Sequence, residues 1–236
     1  MNIAVIFAGG VGKRMKNFGG IPKQFLEIEG IPVLIHTIKN FEENQFIDAI
    51  VVVMLKDYIE NTKELLVQYQ ISKVKKIVEG GSTGQESIYH GLLAAKEISG
   101  RKSIVLIHDG VRPIIEDDLI EKNIKSVLEN GSAISSVPSK ETIIRLNQDN
   151  RIEEVIDRSE VWIARAPQSF FLDEILAAHQ QALADNEHEI IDSCTMMTKY
   201  GKKLCAVETC PENLKITTPE DFYVAEGLIR GKKNNG

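Results

Sequence analysis

The residues best suited to chemistry stand at the front of the chain, in Ala8-Gly-Gly-Val-Gly-Lys-Arg-Met15 followed by Ile21-Pro-Lys-Gln-Phe25. The apolar run Asn2-Ile-Ala-Val-Ile-Phe7 feeds straight into those glycines, which reads as a buried parallel strand ending in a tight loop. Gly9, Gly10 and Gly12 lack a Cβ, so the backbone can turn sharply and bring N–H groups close to an anion. Lys13, Arg14 and Lys23 add cations within reach of the same loop. The combination suits a polyphosphate. Two familiar glycine motifs fail on spacing: Phe7 stands where a P-loop needs its first Gly and Arg14 replaces its hydroxyl, while Met15 replaces the third Gly of a dinucleotide fingerprint. A glycine loop alone also fits an ordinary strand-to-helix turn with solvated lysines.

Asp109 is the second candidate. It follows the apolar run Ser103-Ile-Val-Leu-Ile-His108, which predicts a carboxylate at the C-terminal edge of a sheet, where open α/β folds place ligands. A carboxylate there can hold Mg²⁺, which binds through one or two carboxylates plus substrate phosphates; Asp-Gly is also a common turn pair. Arg112 reads as structural, pairing with a carboxylate or with backbone carbonyls. His108 reads as a packed residue at a strand end, because no Ser or Cys nucleophile stands at a recognisable spacing from it. Lys215, after Asn213-Leu214, can flank an anion together with Lys23, or be a solvated surface lysine.

The elements that must position these residues alternate along the chain. Strands are predicted at 24–29, 48–55, 74–78, 103–108, 133–137, 204–208 and 213–216, and helices at 33–42, 59–69, 116–130 and 171–185. The glycine loop Glu79-Gly-Gly-Ser-Thr-Gly-Gln-Glu86 runs into a further helix, with Thr83 and Glu86 spaced as a capping box. Thr218, Pro219, Glu220 and Asp221 open the last helix. Strand and helix in alternation imply an α/β fold, Rossmann-like, with a mostly parallel twisted sheet flanked by helices. Residues 139–158 read as a β-hairpin arm protruding from that sheet. Its exposed apolar positions call for a partner, so a homodimer through the arm is expected. The expected organisation is one domain over 1–230 and a disordered polar tail over 231–236.

Composition excludes several classes. The chain has 236 residues, 43% hydrophobic and 26% charged, with a net charge of -6, ordinary for a soluble globular protein and wrong for a nucleic-acid binder needing a basic face. No apolar stretch approaches the roughly 20 residues of a membrane span, and no signal peptide is legible, so a cytoplasmic protein is expected. Cys194, Cys205 and Cys210 form no zinc-spaced set and read as reduced thiols.

Taken together, these segments resemble the cytidylyltransferases that make CDP-linked sugar alcohols, namely the ribitol-5-phosphate and methylerythritol-4-phosphate enzymes. The resemblance covers about 2–230 and rests on the two glycine loops, Pro22-Lys-Gln-Phe25, His108-Asp-Gly-Val-Arg-Pro113, Asp157-Arg158, Pro167-Gln168 and Asn213-Leu-Lys-Ile-Thr-Thr-Pro-Glu-Asp221. It implies transfer of CMP from CTP to a polyol phosphate. Lys23, Lys215 and Arg14 would be the catalytic residues, with Lys13, Arg14 and Lys23 on the CTP phosphates. Ala8, Gly9, Gly10, Gly12, Lys13, Gly80, Gly81, Ser87 and Gly110 would bind the nucleotide, and Asp109 would carry Mg²⁺. Arg158, with Thr142 reaching across from a partner's arm, would hold the phosphate of the sugar alcohol. Two positions depart from the family's usual residues: Gly84 stands in place of Arg and Ala166 in place of Thr. Phe7-Ala-Gly-Gly10 looks like the ribitol branch, where methylerythritol enzymes usually read Pro-Ala-Ala-Gly. Ribitol 5-phosphate is therefore the expected acceptor, with methylerythritol 4-phosphate and an inactive CTP-binding regulatory paralogue as the alternatives.

Overall fold

The computed structural model describes residues 1–10, 20–100 and 102–234. In chain order the elements are β1 (Asn2–Phe7), β2 (Glu27–Ile28), β3 (Ile31–Pro32), α1 (Val33–Glu42), β4 (Ala49–Met54), α2 (Ile59–Gln68), β5 (Val74–Glu79), α3 (Gly84–Ile98) and β6 (Ile104–Asp109). The second half contributes α4 (Leu119–Asn130), β7 (Ser132–Pro138), β8 (Ile144–Leu146), β9 (Ile152–Val155), β10 (Trp162–Phe171), α5 (Leu172–Ala184), α6 (Ser193–Lys199), β11 (Ala206–Glu208) and α7 (Pro219–Asn234).

The central sheet has seven strands in the order β11-β7-β10-β6-β1-β4-β5. The interior strands β4 and β6 are buried at every position, as continuous Val/Ile/Leu runs covered on both faces should be. On one face α1, α2 and α4 supply Leu34, Ile38, Phe41, Leu66, Leu119 and Val127 to the core. On the other, α3, α5 and α6 supply Ile88, Leu92, Ile175 and Met197. A third cluster packs Phe222 and Ala225 of α7 on Ile28, Val111, Ile114 and Ile216. No helix among the described residues is long and apolar enough to cross a membrane.

The chain passes from β1 outward to β4 and β5, then returns to place β6 on the other side of β1. That reversal opens a crevice at the carboxyl ends of β1 and β6. Both neighbours of β1 are parallel to it, and the register pairs Phe7 with Asp109 and with Val53. Asp109 therefore stands beside the start of the first glycine loop. α3 lies close over β1 and β4: a Cβ on Gly91 would come within 2.5 Å of Val5 Cγ1 and 2.7 Å of Val53 Cγ2. Gly91→Ala should accordingly destabilise by about 1–3 kcal/mol, overpacking outweighing Ala's better helix propensity; a urea midpoint at or above wild type would contradict this close packing.

Four expectations need correction. The strand β10 was not foreseen, although it lies in the middle of the sheet, antiparallel to β6 and β7. Pro167 interrupts its pattern, and the ladder tolerates it because the register with β7 shifts between Ala164 and Gln168. The segment 213–216 is no strand; its backbone is held by the 109–113 loop, with Ile216 N donating to Val111 O over 2.9 Å. The expected strand at 24–29 is instead a 3₁₀ turn, Lys23–Phe25, leading into the small β2–β3 hairpin. Finally, α7 runs on to Asn234 where a disordered tail was expected. Gly231 costs a formed helix only about 1 kcal/mol, and the start is well capped: Thr218 N donates to Asp221 Oδ2 (2.7 Å) and Asp221 N to Thr218 Oγ1 (3.4 Å).

β8 and β9 form a separate antiparallel two-stranded sheet, exposed along its length. This is the predicted arm.

Candidate active site

Two glycine loops meet above the β1/β6 crevice. The first is anchored by Ala8 N, which donates to Val53 O (2.8 Å), and by Ala8 O, which accepts from the buried Gln24 side chain (2.8 Å). The second is folded around α3's first turn. Thr83 Oγ1 accepts from Glu86 N (3.1 Å), as the capping box requires, but the Glu86 carboxylate accepts from Ser82 N and Ser82 Oγ (2.6 and 2.7 Å). These hydrogen bonds outweigh a small desolvation cost and hold the Glu86 carboxyl below its usual range. Ser87 Oγ donates to Thr83 O (2.9 Å) and accepts from Gly81 N (3.0 Å). Side chains are excluded at Gly81, where a Cβ would fall 2.2 Å from Glu86 Cγ.

Asp109 lies at the floor of the crevice, 6% exposed. Its Oδ1 pairs with Lys215 Nζ at 2.5 Å and its Oδ2 with Arg112 Nε at 2.7 Å. Burial alone would raise its pKa, but the two cations more than offset that and bring it to about 2. Arg112 is structural, as expected: Nη1 also donates to Asn213 O (2.9 Å). Lys215 is the more exposed partner, with a side chain 40% exposed against 8% for Asp109, and its ammonium also stands 5.9 Å from the Phe7 ring centroid. Lys23 Nζ donates to Ile216 O (2.9 Å), so the two lysines approach from opposite ends of the chain. His108 is fully buried, packs edge-on to Phe41, and has its pKa lowered to about 4 by burial; it is a neutral core residue.

A cleft of about 360 Å³ collects these groups, lined by Ala8, Gly9, Gly10, Lys23, Gln24, Gly81, Ser87, Asp109 and Lys215 among others. Gly80 and Gly110 are absent from its wall. Gly110 is a packing residue beneath it, where a Cβ would come 2.8 Å from Ala8 Cβ. Gly12, Lys13 and Arg14 lie outside the described residues. A second cavity of about 260 Å³ adjoins the first through Phe7, Gly84, Asp109 and Lys215, and continues to Arg112, Arg165, Ala166, Gln168 and Asp192. Both positions that depart from the family pattern, Gly84 and Ala166, thus face this second cavity. Thr142 and Arg158 line neither space; Arg158 Nη1 donates to Lys140 O (3.3 Å) within the arm.

Asp109 is the carboxylate of this cleft, among the described residues, that could hold a divalent cation. Among the described residues no three His, Cys, Asp or Glu side chains converge as a metal cluster, and both Asp109 oxygens already face cations. A lone carboxylate beside a phosphate cleft suits Mg²⁺ that brings most of its ligands as phosphate and water.

A cleft with these groups at a sheet switch point can hold a nucleoside triphosphate and neutralise charge at its phosphates. Comparison with known proteins narrows the class. The chain matches the model of the 2-C-methyl-D-erythritol 4-phosphate cytidylyltransferase family over residues 2–231. It belongs to that family. The ribitol-5-phosphate cytidylyltransferase of Streptococcus agalactiae is 48% identical over 234 residues, covering 99% of this chain and 98% of that protein. The 2-C-methyl-D-erythritol 4-phosphate cytidylyltransferase of Clostridium novyi is 40% identical over 233 residues, covering 98% of each. Among solved structures, the 4-diphosphocytidyl-2C-methyl-D-erythritol synthase of Anaerococcus prevotii superposes with a TM-score of 0.84 at 28% identity, covering 98% of this chain and 96% of that one.

In this cytidylyltransferase, sequence reasoning missed three contributors. Gln24 was quoted within a motif but given no role; it ties the first loop to the turn that carries Lys23. Asn213, fully buried, donates to Ala166 O (2.7 Å) while its own carbonyl accepts from Arg112, so it joins β10 to the Asp109 loop. Arg165 had one legible signal, a charge inside an otherwise apolar and small run beside Pro167.

Proposed function

We propose that this chain transfers CMP from CTP to ribitol 5-phosphate, releasing pyrophosphate and forming CDP-ribitol. The observation that carries the reading is the meeting of both glycine loops, Lys23, Asp109 and Lys215 in one cleft. The acceptor is chosen from the relatives: those called ribitol-5-phosphate cytidylyltransferase reach 48% identity, against 40% for those named for methylerythritol phosphate.

In this reading a phosphate oxygen of the acceptor attacks the α-phosphorus of CTP in line. The new P–O bond forms as the bond to the bridging oxygen breaks, and pyrophosphate leaves with that electron pair. The nucleophile is already anionic, so no general base is needed. What the protein must supply is cancellation of repulsion between two polyanions. This role for Lys215 and Lys23 is supported by their positions, Lys215 lining both cavities and Lys23 the first. Mg²⁺, when bound, adds positive charge at the phosphates, and Asp109 is the residue that would hold it. In the same reading, a second copy of the chain brings Thr142 and Arg158 to the acceptor, since neither lines its own chain's cavities. The arm's exposed Ile144, Leu146, Ile152 and Val155 give such a dimer an apolar face.

The test is pyrophosphate release with CTP and Mg²⁺, run in parallel with ribitol 5-phosphate and methylerythritol 4-phosphate. Release with ribitol 5-phosphate alone is expected, and chelation should stop it without shifting the melting temperature of the free protein. Release with methylerythritol phosphate alone would transfer the chain to the other branch. Tight CTP binding with no release from either acceptor would mark a regulatory paralogue.

A further inference from the structure

Arg165 stands out in the second cavity as a cation with no carboxylate in an ion pair with it among the described residues. Its Nε is buried and has no hydrogen-bond partner among the described residues. The carboxylates nearby are engaged elsewhere. Asp109 holds Lys215 and Arg112. Asp192 accepts from Gln168 Nε2 (2.9 Å) through Oδ2 and from Thr195 N (2.8 Å) through Oδ1. Asp221 Oδ2 accepts from Thr217 N and Thr218 N. Burial and the neighbouring Arg112 both work against the charge on Arg165, with only the field of Asp221 in its favour. A guanidinium held this way carries an unfavourable desolvation cost that an incoming anion would relieve.

Its placement is specific. Arg165 lies where β10 loses register with β7, between Ala164 and Gln168, and there consecutive residues, Ala164 to Ala166, face the cavity instead of alternate ones. Such irregularities re-aim side chains beside active sites. Gly84 also lines this cavity, and among the described residues nothing lies within 4 Å of a Cβ built on it. This space lacks Gly9, Gly10 and Lys23, which line the first cleft, and meets that cleft at Asp109 and Lys215. An in-line attack needs its nucleophile on the side away from the leaving pyrophosphate, and the second cavity offers that side.

We propose that Arg165, supplied by the same chain that binds CTP, joins the partner's Thr142 and the partner's Arg158 in binding the phosphate of the acceptor at the second cavity, and so raises affinity for the polyol phosphate. This rests on the cytidylyl-transfer reading above. The test is steady-state kinetics of wild type, Arg165→Met and Arg165→Lys with CTP and whichever polyol phosphate the wild type uses. The acceptor KM should rise about 10- to 100-fold in Arg165→Met, as expected for loss of charge-assisted hydrogen bonds. The CTP KM should stay at its wild-type value, and Arg165→Lys should recover part of the loss, keeping the charge without the fork. The melting temperature of free Arg165→Met should match or exceed wild type, because an unpaired, half-buried charge has been removed; a purely structural arginine would lower it. Should Arg165→Met aggregate, Arg165→Gln carries the same comparison. An unchanged acceptor KM, or an equal rise in CTP KM, in an active variant overturns this inference alone. A wild type that turns over neither polyol phosphate overturns the functional reading, and the acceptor assignment falls with it.

Discussion

Asp109→Asn is expected to cut turnover by at least about 100-fold, the scale of losing one preorganised charge contact at a phosphoryl centre, and to destabilise the protein as well. The carboxylate is 6% exposed and is the shared partner of Lys215 and Arg112. An amide of the same shape keeps one acceptor but leaves the Arg112 guanidinium, itself 7% exposed, without its counter-charge. Removing one partner of a buried pair costs about 3 kcal/mol or more, which urea denaturation would read directly. The pH dependence gives an independent check. The folded-state pKa of Asp109 is depressed from 3.8 to about 2, so its contribution is fully present above the unfolded value. It is lost as pH falls from there through about 2. The shift corresponds to roughly 2 kcal/mol, and wild type should therefore lose more stability between pH 4 and pH 2 than Asp109→Asn does. Parallel pH profiles for the two proteins would show that the ion pairs add nothing.

Lys215→Met should be as damaging to catalysis and milder for the fold. Its ammonium sits where the two cavities join; the Lys215 side chain is 40% exposed and its removal leaves Asp109 paired with Arg112, so the stability loss should be about 1–2 kcal/mol, below that of Asp109→Asn. At the α-phosphate the same charge would act only as the transition state spreads negative charge over its oxygens, so the loss should appear in kcat, by about 100-fold. Lys23→Ala should lose at least about tenfold. Near-wild-type turnover in both lysine variants, with folding intact, would dismiss the phosphate clamp between the chain's two ends.

The two substitutions differ because of burial, a property no spacing rule reports. Sequence did convey that Asp109 follows a buried strand and that Arg112 would pair locally. It could not convey that one carboxylate serves both Arg112 and Lys215, because residues 109 and 215 are brought together by the 213–216 segment packing on the 109–113 loop through Ile216 N to Val111 O (2.9 Å). That segment has the alternation of a strand and no strand beside it. Periodicity describes what a residue would prefer to bury, and hydrogen-bond partners come from the rest of the chain.

The amino-acid sequence by itself determined the buried strands β1, β4 and β6, the helices that cover them, the cap at Thr83 and the end of α4 at Asn130, after which Gly131 takes a φ of 82° that suits glycine. It also determined the family, through glycine loops and charged motifs in a set order. Local causes suffice for all of these: apolar runs must be covered, helix ends must be capped, and a close-approach backbone must lack side chains. The tertiary structure alone decided the pairing of Phe7 with Asp109, the insertion of β10 beside β6 despite Pro167, and the burial of Arg165 Nε away from any hydrogen-bond partner among the described residues. Each depends on register or on distant groups left without partners, and those are settled only when the sheet closes around them.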